Sequence, residues 1–221
     1  GLLNLTHRDS HAEPEPLVPG KRYQVSLQLN AMAQALPPGH RLRVAISTSY
    51  WPLAWPPPER VRLSVFTGSS TLRLPVRPVN ESDEVSLRPF DEPEGAEPTP
   101  ITKLQPGEER WTVSRDLVRY ESALEVVKDL GVVRFDDIGL EVTRRAYERY
   151  SWVGDDFLSV SGETEWRMGF KRGDWEASTI TRTVLTSTCT DFVLRAELDA
   201  YEGEQRVASY NWDRTVPRDL V

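Results

Sequence analysis

Leu42-Arg43-Val44-Ala45-Ile46-Ser47-Thr48-Ser49-Tyr50-Trp51-Pro52-Leu53-Ala54-Trp55-Pro56-Pro57-Pro58 is a strand pattern that runs straight into a proline-locked aromatic loop. Leu42, Val44, Ile46 and Thr48 alternate with Arg41, Arg43, Ala45 and Ser47, the period of a half-buried strand. Proline fixes φ and removes an amide donor, so the segment after Tyr50 does not continue a ladder. It holds Trp51 and Trp55 on a stiff platform with little ordering entropy left to lose. Such a surface is shaped to press against something: the core of its own domain, a neighbouring domain, or a sugar ring.

The same alternation extends outward on both sides. Tyr23, Val25, Leu27 and Leu29 interleave with polar residues, and Pro37-Pro38-Gly39-His40 supplies turn chemistry before the quoted strand. Val61, Leu63 and Val65, then Thr67-Gly68-Ser69-Ser70, then Leu72, Leu74 and Val76 predict a hairpin. Short strands punctuated by Pro and Gly predict an antiparallel sandwich or jelly roll over residues 1–78. From 79 to 107 the chain turns acidic and proline-rich, with Asn80-Glu81-Ser82-Asp83-Glu84 and Asp91-Glu92-Pro93-Glu94, and loses its apolar period. It is expected to be an extended linker whose charges are solvated.

A second β region is expected over 108–221, built of longer strands in a curved antiparallel sheet. Lys171-Arg172-Gly173-Asp174 and Glu202-Gly203-Glu204 predict tight turns. Phe192, Leu194, Ala196, Leu198 and Ala200 share one strand face, with Ala208, Tyr210 and Trp212 returning beside them. Val118 to Lys128 is compatible with a helix, but Ser122 and the Val126-Val127 pair favour strand equally.

At 221 residues with a net charge of -7, the chain is large enough for a real core and too acidic for a nucleic-acid or anionic-membrane partner. No apolar run reaches membrane-spanning length, and no basic-then-apolar leader precedes the first strand. The single cysteine, Cys189, allows no intrachain disulfide and favours the cytoplasm. The chain opens at Gly1 without an initiator Met, so a preceding part is expected.

Leu3-Asn4-Leu5-Thr6-His7-Arg8-Asp9-Ser10-His11, Pro14-Glu15-Pro16-Leu17-Val18-Pro19-Gly20, Gly39-His40-Arg41-Leu42-Arg43-Val44-Ala45-Ile46-Ser47 and Trp51-Pro52 resemble the C-terminal domain of the cocaine esterase and X-Pro dipeptidyl-peptidase family. The stretch from Asp137-Ile138-Gly139-Leu140 to Trp212-Asp213-Arg214-Thr215-Val216-Pro217-Arg218-Asp219-Leu220-Val221 is similar to the tail of acyl-hydrolase members. The resemblance implies an all-β chain: a galactose-binding-like jelly-roll β-sandwich lacking its opening strands, then the curved sheet. It also implies an α/β-hydrolase domain elsewhere in the parent polypeptide, carrying a Ser-Asp-His triad, as the partner on which this region packs. No Gly-x-Ser-x-Gly elbow occurs in these residues, so the chain alone is expected to be non-catalytic.

Tyr50, Trp51, Leu53 and Trp55 are the candidate interface or pocket-lining residues, joined by His7, Arg8 and Asp9, where a strand is expected to leave the sheet. His7, Asp9 and His11 carry the residue types of a metal site, but Pro14 and Pro16 follow and no third ligand stands at productive spacing, so no metal or other cofactor is expected. Their polar atoms are expected to satisfy local backbone or meet the hydrolase domain. An exposed sheet edge at Leu2 to Thr6 is the expected route to a homo-oligomer. The alternative is a stand-alone carbohydrate-binding module that stacks sugars on Trp51 and Trp55.

Overall fold

The computed structural model describes residues 1–78, 80 and 82–221. Eight strands form one antiparallel sheet: β1 (Ile101–Gln105), β2 (Glu108–Arg115), β3 (Glu121–Phe135), β4 (Leu140–Val153), β5 (Asp156–Arg172), β6 (Trp175–Ser187), β7 (Asp191–Glu202) and β8 (Gln205–Pro217). From β3 to β8 each strand pairs with the next, a simple meander, and β1 and β2 share the outer edge of β3. The all-β expectation holds.

The turns follow their residues. Gly154, Gly173 and Gly203 take φ of +50, +59 and +54, while Asp155, Asp174 and Glu204 do not have positive φ, as a two-residue hairpin of the II′ kind requires. Both expected turns are therefore present, and Ala200, Leu198 and Ala196 face Ala208, Tyr210 and Trp212 across β7 and β8. The Val118–Lys128 ambiguity resolves as turn and then strand, because Val126 and Val127 stack into paired rows between β2 and β4.

Three expectations need correction. The sheet begins at Ile101 and not after Gly107, since Ile101-Thr102-Lys103 pairs with Phe135-Arg134-Val133 between two prolines that disguise so short a strand. More substantially, no strand forms among the described residues before Ile101, so the runs 23–29, 41–48, 61–65 and 72–76 carry no ladder. Val25 stays 44% exposed and Ile46 60%. Alternation encodes a face, whereas a strand also needs a hydrogen-bonding neighbour, and these runs have none. Residues flanking them touch through side chains instead: the Arg22 guanidinium lies 4.5 Å over the Phe66 ring and bonds the Ser69 hydroxyl. The acidic run at 80–84 includes Glu81, which lies outside the described residues.

The expected sheet edge at Leu2 to Thr6 is also replaced. Leu5–His7 is a 3₁₀ turn capped by the Asn4 side chain, and the Thr6 hydroxyl donates to the Leu220 carbonyl at 2.6 Å. The short polar side chains of Asn4 and Thr6 compete with a ladder for backbone groups, which favours a capped turn over an edge strand.

The register sorts the sheet into two unlike faces. One is mainly apolar and carries Leu124, Val126, Tyr150, Ala146, Trp166, Phe170, Leu185, Leu194, Leu198, Tyr210 and Trp212 around a Lys128–Glu148 ion pair at 3.5 Å. The other is a lattice of alternating charge: the row Glu125, Arg149, Glu163 crosses three strands, with Arg149 to Glu125 at 3.5 Å and Arg182 to Glu163 at 2.7 Å. Opposite charges face each other across strands, so the long side chains cover their own face while the apolar one is left for packing.

Candidate functional site

The proline-locked loop lies on the apolar face at the end of the sheet where β4, β6 and β8 finish. Trp51 and Trp55 meet edge to face at 4.9 Å between ring centroids. Trp51 then stands edge-on to Tyr150 of β4 at 6.0 Å, and Trp55 to Phe192 of β7 at 5.7 Å. Each geometry places a positive ring edge against a negative ring face, worth about 1 kcal/mol per pair beyond the area buried. Gly162 on β5 lies beside Trp51: a Cβ there would sit 3.8 Å from its ring, an ordinary van der Waals contact. The Trp55 indole N–H donates to the Ser187 hydroxyl at 2.8 Å, whereas the Trp51 indole N–H is buried without a partner.

Arg218 closes this joint. Its side chain is all but buried, at 3% exposure for the residue, and no Asp or Glu side chain pairs with it among the described residues. Nη2 donates to the Pro56 carbonyl at 2.6 Å, Nη1 to the Thr188 carbonyl and Ser187 hydroxyl, and Nε to the Val221 carbonyl at 2.8 Å. The guanidinium carbon also lies 4.8 Å over the Phe192 ring. Carbonyl dipoles and a π face thus hold a charge that burial pushes below its usual pKa. Planar fork geometry lets one side chain tie the loop, the β6–β7 turn and the chain after β8 together. A smaller tie, Arg60 Nε to the Asp155 carbonyl at 2.9 Å, fixes the loop's far end to the β4–β5 turn.

The sequence-chosen residues divide. Trp51 and Trp55 are in the joint, while Tyr50 is 59% and Leu53 73% exposed. His7, Arg8 and Asp9 form a separate fastening. Arg8 donates to the Leu5 and Glu15 carbonyls at 3.1 Å, pairs with Asp9 and Glu15, and stacks 4.6 Å over Tyr23. His7 and His11 meet through their Nδ1 atoms at 3.4 Å. Arg8 thus bonds nearby backbone carbonyls, while the His7 Nε2 atom is buried without a partner.

Arg218 and Ser187 were not singled out in the sequence, and Phe192 was read only as a member of a strand face. One signal was there: Thr112-Val113-Ser114-Arg115-Asp116-Leu117-Val118 and Thr215-Val216-Pro217-Arg218-Asp219-Leu220-Val221 differ only at their third residue. The two copies end the two outer strands β2 and β8. No catalytic constellation surrounds Ser187: its Oγ accepts from an indole and a guanidinium, and neither group is a base that would activate it.

Residues 1–88 match the family model of the X-Pro dipeptidyl-peptidase C-terminal non-catalytic domain. The aromatic loop and the Arg8 fastening both fall inside the match, and the eight-stranded sheet falls outside it. No curated protein and no solved structure matches the chain.

Proposed function

We propose that this chain is the non-catalytic C-terminal region of a serine acyl hydrolase of the X-Pro dipeptidyl-peptidase and cocaine esterase type, working in the cytoplasm. In this reading it packs on an α/β-hydrolase domain of the same polypeptide and shapes its acyl pocket. The match of residues 1–88 to a domain defined as non-catalytic carries the reading. The joint supports it, because its residues hold two parts of a chain together and none is arranged to attack a carbonyl. The Trp loop's outer side, with exposed Tyr50 and Leu53, is the surface offered to the hydrolase domain.

Carbohydrate binding has less support. Both indoles are half-buried and engaged with each other and with Tyr150 and Phe192, so little ring face remains for a sugar. In the parent, acyl transfer would proceed through a serine of the hydrolase domain, and this region would supply no reacting atom.

The test is turnover of chromogenic acyl esters and X-Pro amides by the purified chain, alone and mixed with the hydrolase domain of its parent. The expected result is no turnover alone and a quenching or shift of Trp fluorescence on mixing. Turnover by the chain alone that a serine-directed fluorophosphonate abolishes would overturn the proposal.

A further inference from the structure

The two outer edges of the sheet are unlike. On one, Pro106 and Gly107 break the edge into β1 and β2, and the chain there fits against a bulge at Leu130-Gly131 so closely that a Cβ on Gly107 would lie 2.0 Å from the Asp129 carbonyl oxygen. Short, interrupted edges of this kind resist pairing with other chains. On the other edge β8 is paired only to β7 and runs thirteen residues, with one irregularity near Arg206. Its outer row of amides and carbonyls is met by no other strand among the described residues.

Strand count limits what that edge accepts. Along the path from β2 through β3 to β8 directions alternate, so β2 and β8 run parallel. Head-to-tail joining of β8 to β2 of another copy would therefore make a parallel junction and an open filament. Pairing β8 with itself across a two-fold axis is antiparallel and closes.

We propose that β8 is the interface of a two-fold dimer of this chain, paired antiparallel with β8 of a second copy in the register centred on Asn211. Asn211 is the midpoint of Gln205–Pro217, so this register alone uses the whole strand. It sets Tyr210 opposite Trp212, Ser209 opposite Asp213, Ala208 opposite Arg214 and Arg206 opposite Val216, with no like charges facing. Neighbouring centres are worse: Tyr210 would oppose Arg206 to Arg214, Trp212 would leave Gln205 and Arg206 unpaired, and Asp213 or Arg214 would oppose itself. Tyr210 and Trp212 already stack at 5.9 Å on the apolar face, and they remain 57% and 39% exposed within one chain. A two-fold axis normal to the sheet keeps apolar face beside apolar face, so the aromatic pairs of two copies form one cluster.

Sedimentation velocity on the full chain tests this. The wild type is expected to be a dimer. Ala208→Lys sets an ammonium against Arg214 twice per dimer and should weaken association about tenfold. Adding Arg214→Glu should restore it, because residues 208 and 214 are opposite only in this register. A monomeric wild type, an undiminished Ala208→Lys dimer or a double variant that stays apart would each overturn the proposal. Hydrogen exchange on the wild type gives an answer that needs no variant to fold: amides of β8 should slow as concentration rises while those of β2 do not, and equal behaviour at both edges would also overturn it.

Discussion

The guanidinium of Arg218 and the carbonyl of Pro56 meet at 2.6 Å across 162 positions of chain. This bond joins the segment that follows the last strand to a loop in the first quarter of the sequence. Around it the Trp55–Phe192 and Trp51–Tyr150 contacts make the joint by which residues 1–88 hold the sheet.

Arg218→Ala should cost about 3 kcal/mol, because the Pro56 and Thr188 carbonyls and the Phe192 face lose their shared partner in a buried setting. Arg218→Lys should recover little, since an ammonium on a flexible stem cannot reach three elements at once or lie flat on the ring. Urea unfolding followed by Trp fluorescence measures both, and a fully stable lysine variant would refute the planar-fork account.

Trp55→Phe keeps an aromatic edge against Phe192 but removes the indole donor to Ser187, and is expected to cost about 1 kcal/mol. Ser187→Ala should cost more, roughly 1–3 kcal/mol, because it strands the half-buried Trp55 indole N–H and weakens Arg218. The double variant should be less damaging than the sum, which a double-mutant cycle would read as coupling.

Alkaline pH should loosen the sheet beneath Trp51. Burial, and then the hydrogen bond donated to Glu148, push the Tyr150 hydroxyl up to about 12 from 10.0. The folded state therefore holds this proton where the unfolded chain has lost it. The stabilisation is complete below about pH 10 and disappears as pH rises towards 12. Tyr147, raised by burial and by Glu125, adds in the same direction. Tyr150→Phe should flatten the alkaline fall in denaturation midpoint, and an unchanged pH profile would count against the assignment.

Gly107→Ala should free the β1–β2 edge. The added Cβ would meet the Asp129 carbonyl oxygen at 2.0 Å, a contact that only backbone movement relieves. A loss of more than about 1 kcal/mol is expected, with faster hydrogen exchange in Ile101–Gln105 than in β4.

The long sheet was legible because its code is local. The Gly-Asp turn at 173 and the Gly-Glu turn at 203 set hairpin register, and the run from Phe192 to Ala200 showed which side chains share a face. Trp51 and Trp55 stood out because prolines stiffen their loop. What they press against was not legible: Tyr150, Gly162, Ser187 and Phe192 come from four strands, and each looks ordinary in its own neighbourhood. Arg218 reads as one more surface cation until the fold brings Pro56 to it. The alternating runs between Tyr23 and Val76 mark the reverse limit, for they specify an apolar face yet form no ladder. Side-chain period and turn chemistry are properties of a few consecutive residues, so an all-β chain with long antiparallel strands was already legible in the sequence. Hydrogen-bond partners and burial depend on segments far apart in the chain, so the place of the joint, the chain order of the strands and the open edge emerge only once those segments meet.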